Sequence, residues 1–364
     1  MKLKDIIAVL ERLAPPSLQE GYDNSGLLVG SNDDDVNGAV IALDCTEDVI
    51  DEAIRLNVNL VIAHHPIVFS GLKRFNGKNY VERTIIKAIR NGIAIYAIHT
   101  NLDNVVAGVN GYFAKQLNLK NTAVLRPKEN ILQKVIVYVP VDHQEQVRSA
   151  MFAAGGGHIG NYDECSFNVV GEGTFRANEG ANPFVGEHGE RHIANEVRME
   201  MICETFKLHA VLAAMQAAHP YEEVAHEIIS IQNTYNKIGS GILGTLEKPM
   251  KTEAFFNLVK EKFNLSVIKH TRFLKDEVSR VALCGGSGIF LLGDAKRAGA
   301  DVFITADIKY HEFFDAEDHL VLADIGHYES EQKTGELLAA ELNHNFNTFA
   351  VHLSTINTNP VNYY

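Results

Sequence analysis

Several things are scarce in this sequence, and each shortage closes off a class of protein. The four cysteines, Cys45, Cys165, Cys203 and Cys284, lie far apart with no C-x-x-C pair, which argues against a disulfide-framed secreted scaffold and against a cysteine-rich zinc module. Each sits in or beside an apolar run, so four reduced thiols packed in the core are expected. No apolar run reaches the roughly 18 residues that a membrane-spanning helix needs. The opening MKLKDIIAVLERLAPP carries acidic residues and a helical period, not the long apolar stretch and small-residue cleavage site of a signal peptide, so a cytoplasmic protein is expected. Positive charge is scarce too: 33 Lys and Arg stand against 46 Asp and Glu, a formal net charge of -13. Such a surface repels nucleic acid and anionic membranes, and a phosphate-bearing ligand would need a local cation or metal. No Pro- or Gln-rich tract and no block of like charge appears; with 46% hydrophobic and 22% charged residues over 364 positions, the chain reads as folded and globular, long enough for two domains.

What is present is a rhythm. Leu3, Ile6, Ile7, Leu10 and Leu13 recur at helical spacing until Pro15 and Pro16 stop them, which predicts a short amphipathic helix. The apolar runs GAVIALD (38–44), NLVIAHH (59–65) and GIAIYAIH (92–99) then alternate with the helical patterns TEDVIDEAIRL and YVERTIIKAIRN. Continuous apolar strands separated by helices predict βαβ units and a mostly parallel sheet covered on both faces. The rhythm breaks near residue 120 and resumes at GSGILGTL (239–246), followed by VSRVALCGG, DVFITAD, HLVLADIGH and intervening helices. The flanks, 1–125 and 237–364, read as halves of one α/β domain. Between them, 131–235 reads as β-α-β-β-α-β, a ferredoxin-like α+β domain inserted into a loop of the first.

Chemistry gathers at the predicted strand ends, where ligands of open α/β sheets bind. Asp44, His64 and His65, His99 with Asp103, Asp307, and Asp324 with His327 all fall there. Pro66 holds His65 extended and turns the chain, and His327 and Glu331 share one helix face at i, i+4. His64, His65, Asp103, His327 and Glu331 exceed the three ligands of one catalytic zinc. They suit two divalent ions with a bridging carboxylate, for which Asp103 is the choice, and a water acidified by the ions. Imidazole-rich ligation favours zinc or iron, admits manganese or cobalt, and argues against calcium. Satisfied structural histidines are the competing reading. His99 is open between a further ligand, a supporting partner and a packed side chain. Asp44, Asp307, Lys309 and His311 are open between orienting ligands and ordinary capping. CGGSG (284–288) resembles a phosphate-cradling turn or a tight strand-to-helix connection. His158, His188, His192 and His219 show no ligand spacing.

The motifs AHHP, HTNLD, ADIKYHE and GHYESE resemble the NIF-three-like family, whose members are labelled GTP cyclohydrolase I type 2 homologues. The segment containing GEGTF and AAHPYEEVAHEI is similar to the PII- or CutA-like insert of its longer bacterial members. The resemblance implies a NIF-three-like α/β outer domain, a dinuclear site on the same five residues, and a toroidal homohexamer, built as a trimer of dimers, with its metals facing an internal cavity. It directs attention to a metal-dependent hydrolase acting on a nucleotide-like small molecule, by GTP ring opening or phosphoester cleavage. Asp307, Tyr310 and His99 are candidate general acids, and Lys73, Arg74 and Lys309 candidate phosphate contacts. The alternative is a non-enzymatic, metal-binding hexamer whose PII-like insert senses a ligand or recruits a partner.

Overall fold

The computed structural model describes all of residues 1–364, and the chain divides into two compact units, Met1–Pro127 with Asn236–Tyr364, and Lys128–Tyr235. No helix is long and apolar enough to cross a membrane.

The first unit opens with the expected amphipathic helix, Leu3–Leu13, which buries Leu3, Ile6, Ile7, Val9 and Leu10. It ends because Ala14, preceding Pro15, is extended, the conformation a following proline ring imposes. A five-stranded sheet follows in the order Gly26–Val29, Ala94–Ala97, Leu60–His65, Gly38–Asp44, Ala350–Leu353. Its three continuous apolar strands are buried almost throughout, as strands covered on both faces must be. Helices Glu47–Arg55 and Tyr80–Arg90 begin at side-chain caps, Thr46 accepting from the Val49 amide and Asn79 from that of Glu82, each worth about 1 kcal/mol. They seat Val49, Ile50, Ala53 and Ala88 against Val40, Val61, Ala63 and Ile95.

A second sheet runs Lys269–His270, Val321–Asp324, Val302–Thr305, Glu277–Leu283, Gly239–Lys251, Lys120–Pro127. The expectation of one mostly parallel sheet is therefore corrected. There are two, and only the first is mostly parallel; the second has two parallel and three antiparallel pairings. Two of the strands that make it mixed, Lys120–Pro127 and Gly239–Lys251, flank the second unit in sequence; the third is Lys269–His270. Lys120–Pro127 lies where the rhythm seemed to break, and its largely exposed residues lack the apolar run that marks a covered strand. The edge strands Gly26–Val29 and Ala350–Leu353 have only 4 residues each and escaped sequence reading for the same reason. Phe113, Phe255 and Phe263 fill the core under this sheet against Val281 and Ile304.

The second unit is a four-stranded antiparallel sheet in the order Phe167–Arg176, Arg191–Glu204, Leu132–Pro140, His226–Ser230. With helices Gln144–Ala153 and Leu208–Ala218 the elements succeed one another as β-α-β-β-α-β. Val147, Met151, Val211 and Met215 from the helices pack on Val135, Val137, Met199 and Met201 from the strands.

All four cysteines are free, and Cys45, Cys203 and Cys284 are buried. Cys165 departs from the expectation of a core thiol: it is half-buried, in the connection that leads into Phe167–Arg176 rather than in a packed strand.

Candidate metal centre

In the first unit, chain segments leaving the carboxyl ends of parallel strands in both sheets converge. Strand Leu60–His65 delivers His64 and His65, whose ring centroids are 5.0 Å apart at 47°. The parallel register that sets Asp44 beside His65 also lets the Asp44 carboxylate take the His65 Nδ1 at 2.7 Å. Past Ala94–Ala97, His99 caps the one-turn helix Thr100–Asp103, which returns Asp103 towards His64. From the second sheet, Gly326 at φ 90° starts the helix His327–Glu331, placing His327 and Glu331 side by side.

The donors form two groups that share Glu331. Its Oε2 lies 3.0 Å from His65 Nε2 and 3.1 Å from His327 Nε2, and those two nitrogens are 3.3 Å apart. Its Oε1 faces His64 Nε2 at 3.9 Å, with Asp103 Oδ1 3.6 Å from the same nitrogen. Each group could hold a metal ion, and His64, His65 and His99 form a third with the same capacity. Glu331 is common to two of these groups, whereas Asp103, the expected bridge, falls in one. Asp103 reaches only His64, whereas the helix sets Glu331 between the two strands' histidines.

Every histidine of the cluster is held by Nδ1, and His64, His65 and His327 turn Nε2 towards the carboxylates. His64 Nδ1 bonds the Ile98 carbonyl at 2.8 Å, and His65, His99 and His327 bond Asp44, Asp23 and Asp307, each at 2.7 Å. Such bonds fix the ring tautomer and orientation in metal sites. Asp307 does so from the left-handed region, at φ 57°, a conformation that aspartate tolerates better than most residues. Asp44 is anchored in turn by the Thr358 hydroxyl, which donates to its second oxygen at 2.6 Å.

The electrostatics follow from burial opposed by pairing. Burial disfavours a charge on His65, but its bonds to Asp44 and Glu331 outweigh that and push its pKa up to about 10. His327, opposed by burial and favoured by Glu331 and Asp307, rises to about 9. For His64 burial prevails and lowers the pKa. Burial works against ionised Glu331, yet the His327, His64 and His65 rings hold it well below the usual carboxylate range. Burial, reinforced by the Glu331 charge, raises Asp103 well above that range. His64 Nε2 and Asp103 Oδ1 are both buried without a hydrogen-bond partner, a state that costs about 1–3 kcal/mol per group. A cation between nitrogen and oxygen donors of this kind would satisfy both, so the residues present fit a divalent metal.

The structure brings together all five residues singled out from the sequence, with His99, Asp44 and Asp307 packed around them. Lys309 and His311 are exposed and bond none of the donors; Asp324 instead pairs with Lys269 at 2.7 Å. The CGGSG turn is a close-packing device: a Cβ on Gly286 would stand 2.4 Å from Glu331 Oε1. Sequence reasoning missed Asp23 and Thr358, which lie 76 and 314 residues from the partners they bond and share no local spacing with them.

Two α/β sheets whose strand ends surround a shared carboxylate with imidazoles define a class: an α/β protein with a buried histidine–carboxylate cluster that could hold metal. Within that class, the chain belongs to the Duf34/NIF3 (NGG1p interacting factor 3) family, whose model matches residues 1–360. It is 41% identical over 324 residues to a Halalkalibacterium halodurans protein named GTP cyclohydrolase 1 type 2 homolog, covering 88% of this chain and 87% of that one. A Staphylococcus aureus protein of the same name is 36% identical over 368 residues, covering 100% of both. Among solved structures, a Bacillus cereus protein related to NIF3 superposes with a TM-score of 0.87 at 37% identity, covering 100% of this chain and 99% of the other.

Proposed function

We infer that the chain is a divalent-metal-dependent hydrolase acting on a nucleotide-like heterocycle, with His64, His65, Asp103, His327 and Glu331 as metal ligands. The observation that carries this reading is the buried, unpartnered pair His64 Nε2 and Asp103 Oδ1 beside three further convergent donors. Nitrogen and carboxylate donors together suit two zinc or iron ions, with manganese or cobalt as alternatives. When bound, such ions supply Lewis acidity and lower the pKa of a water. The chain's own residues do the rest. Asp44, Asp307 and the Ile98 carbonyl fix the imidazoles, while Glu331 is kept ionised between them. His99, held by Asp23 on the wall of a cavity that His65, Asp103 and Glu331 also line, is placed to hold or pass a proton at its other ring nitrogen.

The name of the curated relatives makes hydrolytic opening of a purine-type ring, as in GTP, the first reaction to test, with phosphoester cleavage second. The family resemblance supports a toroidal homohexamer as the working form, and the unpaired thiols suit the cytoplasm. The test is turnover of GTP and of a phosphodiester by zinc- and iron-loaded protein, against a His64→Ala variant of unchanged oligomeric state. Metal-dependent turnover lost in the variant supports the reading; a metal-loaded wild type inert towards both overturns the hydrolase assignment.

A second reading is favoured by the β-α-β-β-α-β order and antiparallel sheet of Lys128–Tyr235. As a ferredoxin-like, PII- or CutA-like module it would make the chain a metal-binding sensor rather than an enzyme, and binding of an effector to this unit without any turnover would select it.

A further inference from the structure

A cavity of about 440 Å3 opens beside the donor cluster, with Tyr22, Phe69 and Phe290 among its lining residues. These three rings are 66%, 52% and 51% exposed, unusual for large aromatics. Tyr22 and Phe69 stand 6.2 Å apart at 40°, and Phe69 meets His99 edge-on at 6.3 Å and 72°. Apolar rings over a polar floor make a wall on which a flat ligand stacks.

The same cavity is poorly equipped for phosphate. No lysine or arginine lines it. Arg126, whose guanidinium lies 5.4 Å from the centre of the Phe290 ring, is committed to Asp294 and to the Phe290 carbonyl. Three amides of the glycine-rich turn after Leu283 are taken, Gly285 donating to Asn110, Gly286 to Ser330 and Gly288 to Thr305, which leaves the single Ser287 amide there, fewer than the several convergent N–H groups of a phosphate cradle. Asp23, Asp44, Asp103, Asp307 and Glu331 surround the histidines, enough negative charge to match two divalent ions. A polyphosphate therefore meets no surplus positive charge from this chain's side chains, whereas a flat, uncharged ring meets three aromatic faces.

We propose that this cavity recognises a planar, unphosphorylated nitrogen heterocycle, a nucleobase or nucleoside, by stacking on Tyr22, Phe69 and Phe290. The proposal rests on the metal-centre reading above and narrows its substrate from nucleotide to ring.

The test is equilibrium binding of guanosine, GTP and inorganic tripolyphosphate to the zinc-loaded full chain, with metal content and oligomeric state measured on the same samples. Guanosine is expected to bind at least as tightly as GTP and to resist displacement by tripolyphosphate. Phe69→Ala and Tyr22→Ala should each weaken guanosine by about tenfold, the scale of one lost stacking contact, without changing zinc content. A zinc-loaded protein that prefers GTP, or that releases guanosine to tripolyphosphate, overturns the proposal and leaves the metal-centre reading standing. An altered oligomeric state in Phe69→Ala with guanosine binding intact also overturns it, by making the aromatic rim an interface between copies. A chain that takes up no zinc overturns the metal-centre reading and the proposal with it.

Discussion

His64 Nε2 and Asp103 Oδ1 face each other across 3.6 Å, both buried and neither hydrogen-bonded. The pair is not an ordinary ion pair, because burial lowers the His64 pKa and raises that of Asp103. Two buried polar atoms left without a partner destabilise the metal-free fold. Zinc should therefore stabilise the protein strongly, by about 2.7 kcal/mol at a hundredfold excess over its dissociation constant. Thermal unfolding with and without zinc measures this; His64→Ala should abolish the zinc-dependent part, and an unchanged wild-type transition would count against the site.

Gly286 carries a second expectation. It has φ +60°, and a Cβ there would meet Glu331 Oε1 at 2.4 Å. Gly286→Ala should cost about 1–3 kcal/mol in backbone strain and displace the shared carboxylate, so that metal uptake falls. Gly299→Ala is the control, because Gly299 has φ +67° but open space around it: it should be strained without losing metal. Equal metal content in both variants would contradict the role given to the turn.

Support of His65 from behind can be graded. Asp44→Ala removes the carboxylate that holds its Nδ1 and should weaken metal binding by about 10–100-fold, the usual range for such partners. Thr358→Val removes only the hydroxyl that anchors Asp44, so its loss should be smaller and in the same direction. Competition against a chromophoric chelator would report both.

These relationships mark how far the sequence could be read. The helix Leu3–Leu13, the strands Gly38–Asp44 and Leu60–His65, and the His327–Glu331 pair announce themselves because each has a local period or a local i, i+4 spacing. The two-sheet arrangement does not, because Lys120–Pro127 and Gly239–Lys251 pair across the second unit and Ala350–Leu353 joins Gly38–Asp44 from the far end of the chain. The five donor residues were legible as polar groups at strand ends. That Glu331 is the carboxylate shared by both groups depends on how two sheets meet, which no spacing encodes, and Asp23 and Thr358 support the cluster through contacts of the same long-range kind.

Thr358 belongs to a carboxy-terminal segment that is pinned upstream by Glu52. This buried carboxylate accepts from the Ser354 hydroxyl and from the Thr355 amide and hydroxyl. Burial alone would raise its pKa, but these bonds win and lower it. A folded-state pKa below the unfolded value means that the stabilisation is complete above the ordinary glutamate range, about 4.3, and is lost as pH falls through the folded value. Amide protection at Thr355 should therefore be full at neutral pH and decline in acid below that range. In Glu52→Gln protection should be reduced at neutral pH already. Undiminished protection in that variant would show that the segment is held elsewhere.

Glu331 is the residue on which the account turns, since one of its oxygens faces each donor group. The most direct test is equilibrium dialysis against zinc, followed by elemental analysis, of the wild type and the isosteric Glu331→Gln variant, both confirmed as folded. The wild-type chain is expected to hold about two ions, as a shared carboxylate implies, and the variant to lose both. A wild type that takes up none, or a variant that keeps the full complement, would contradict it.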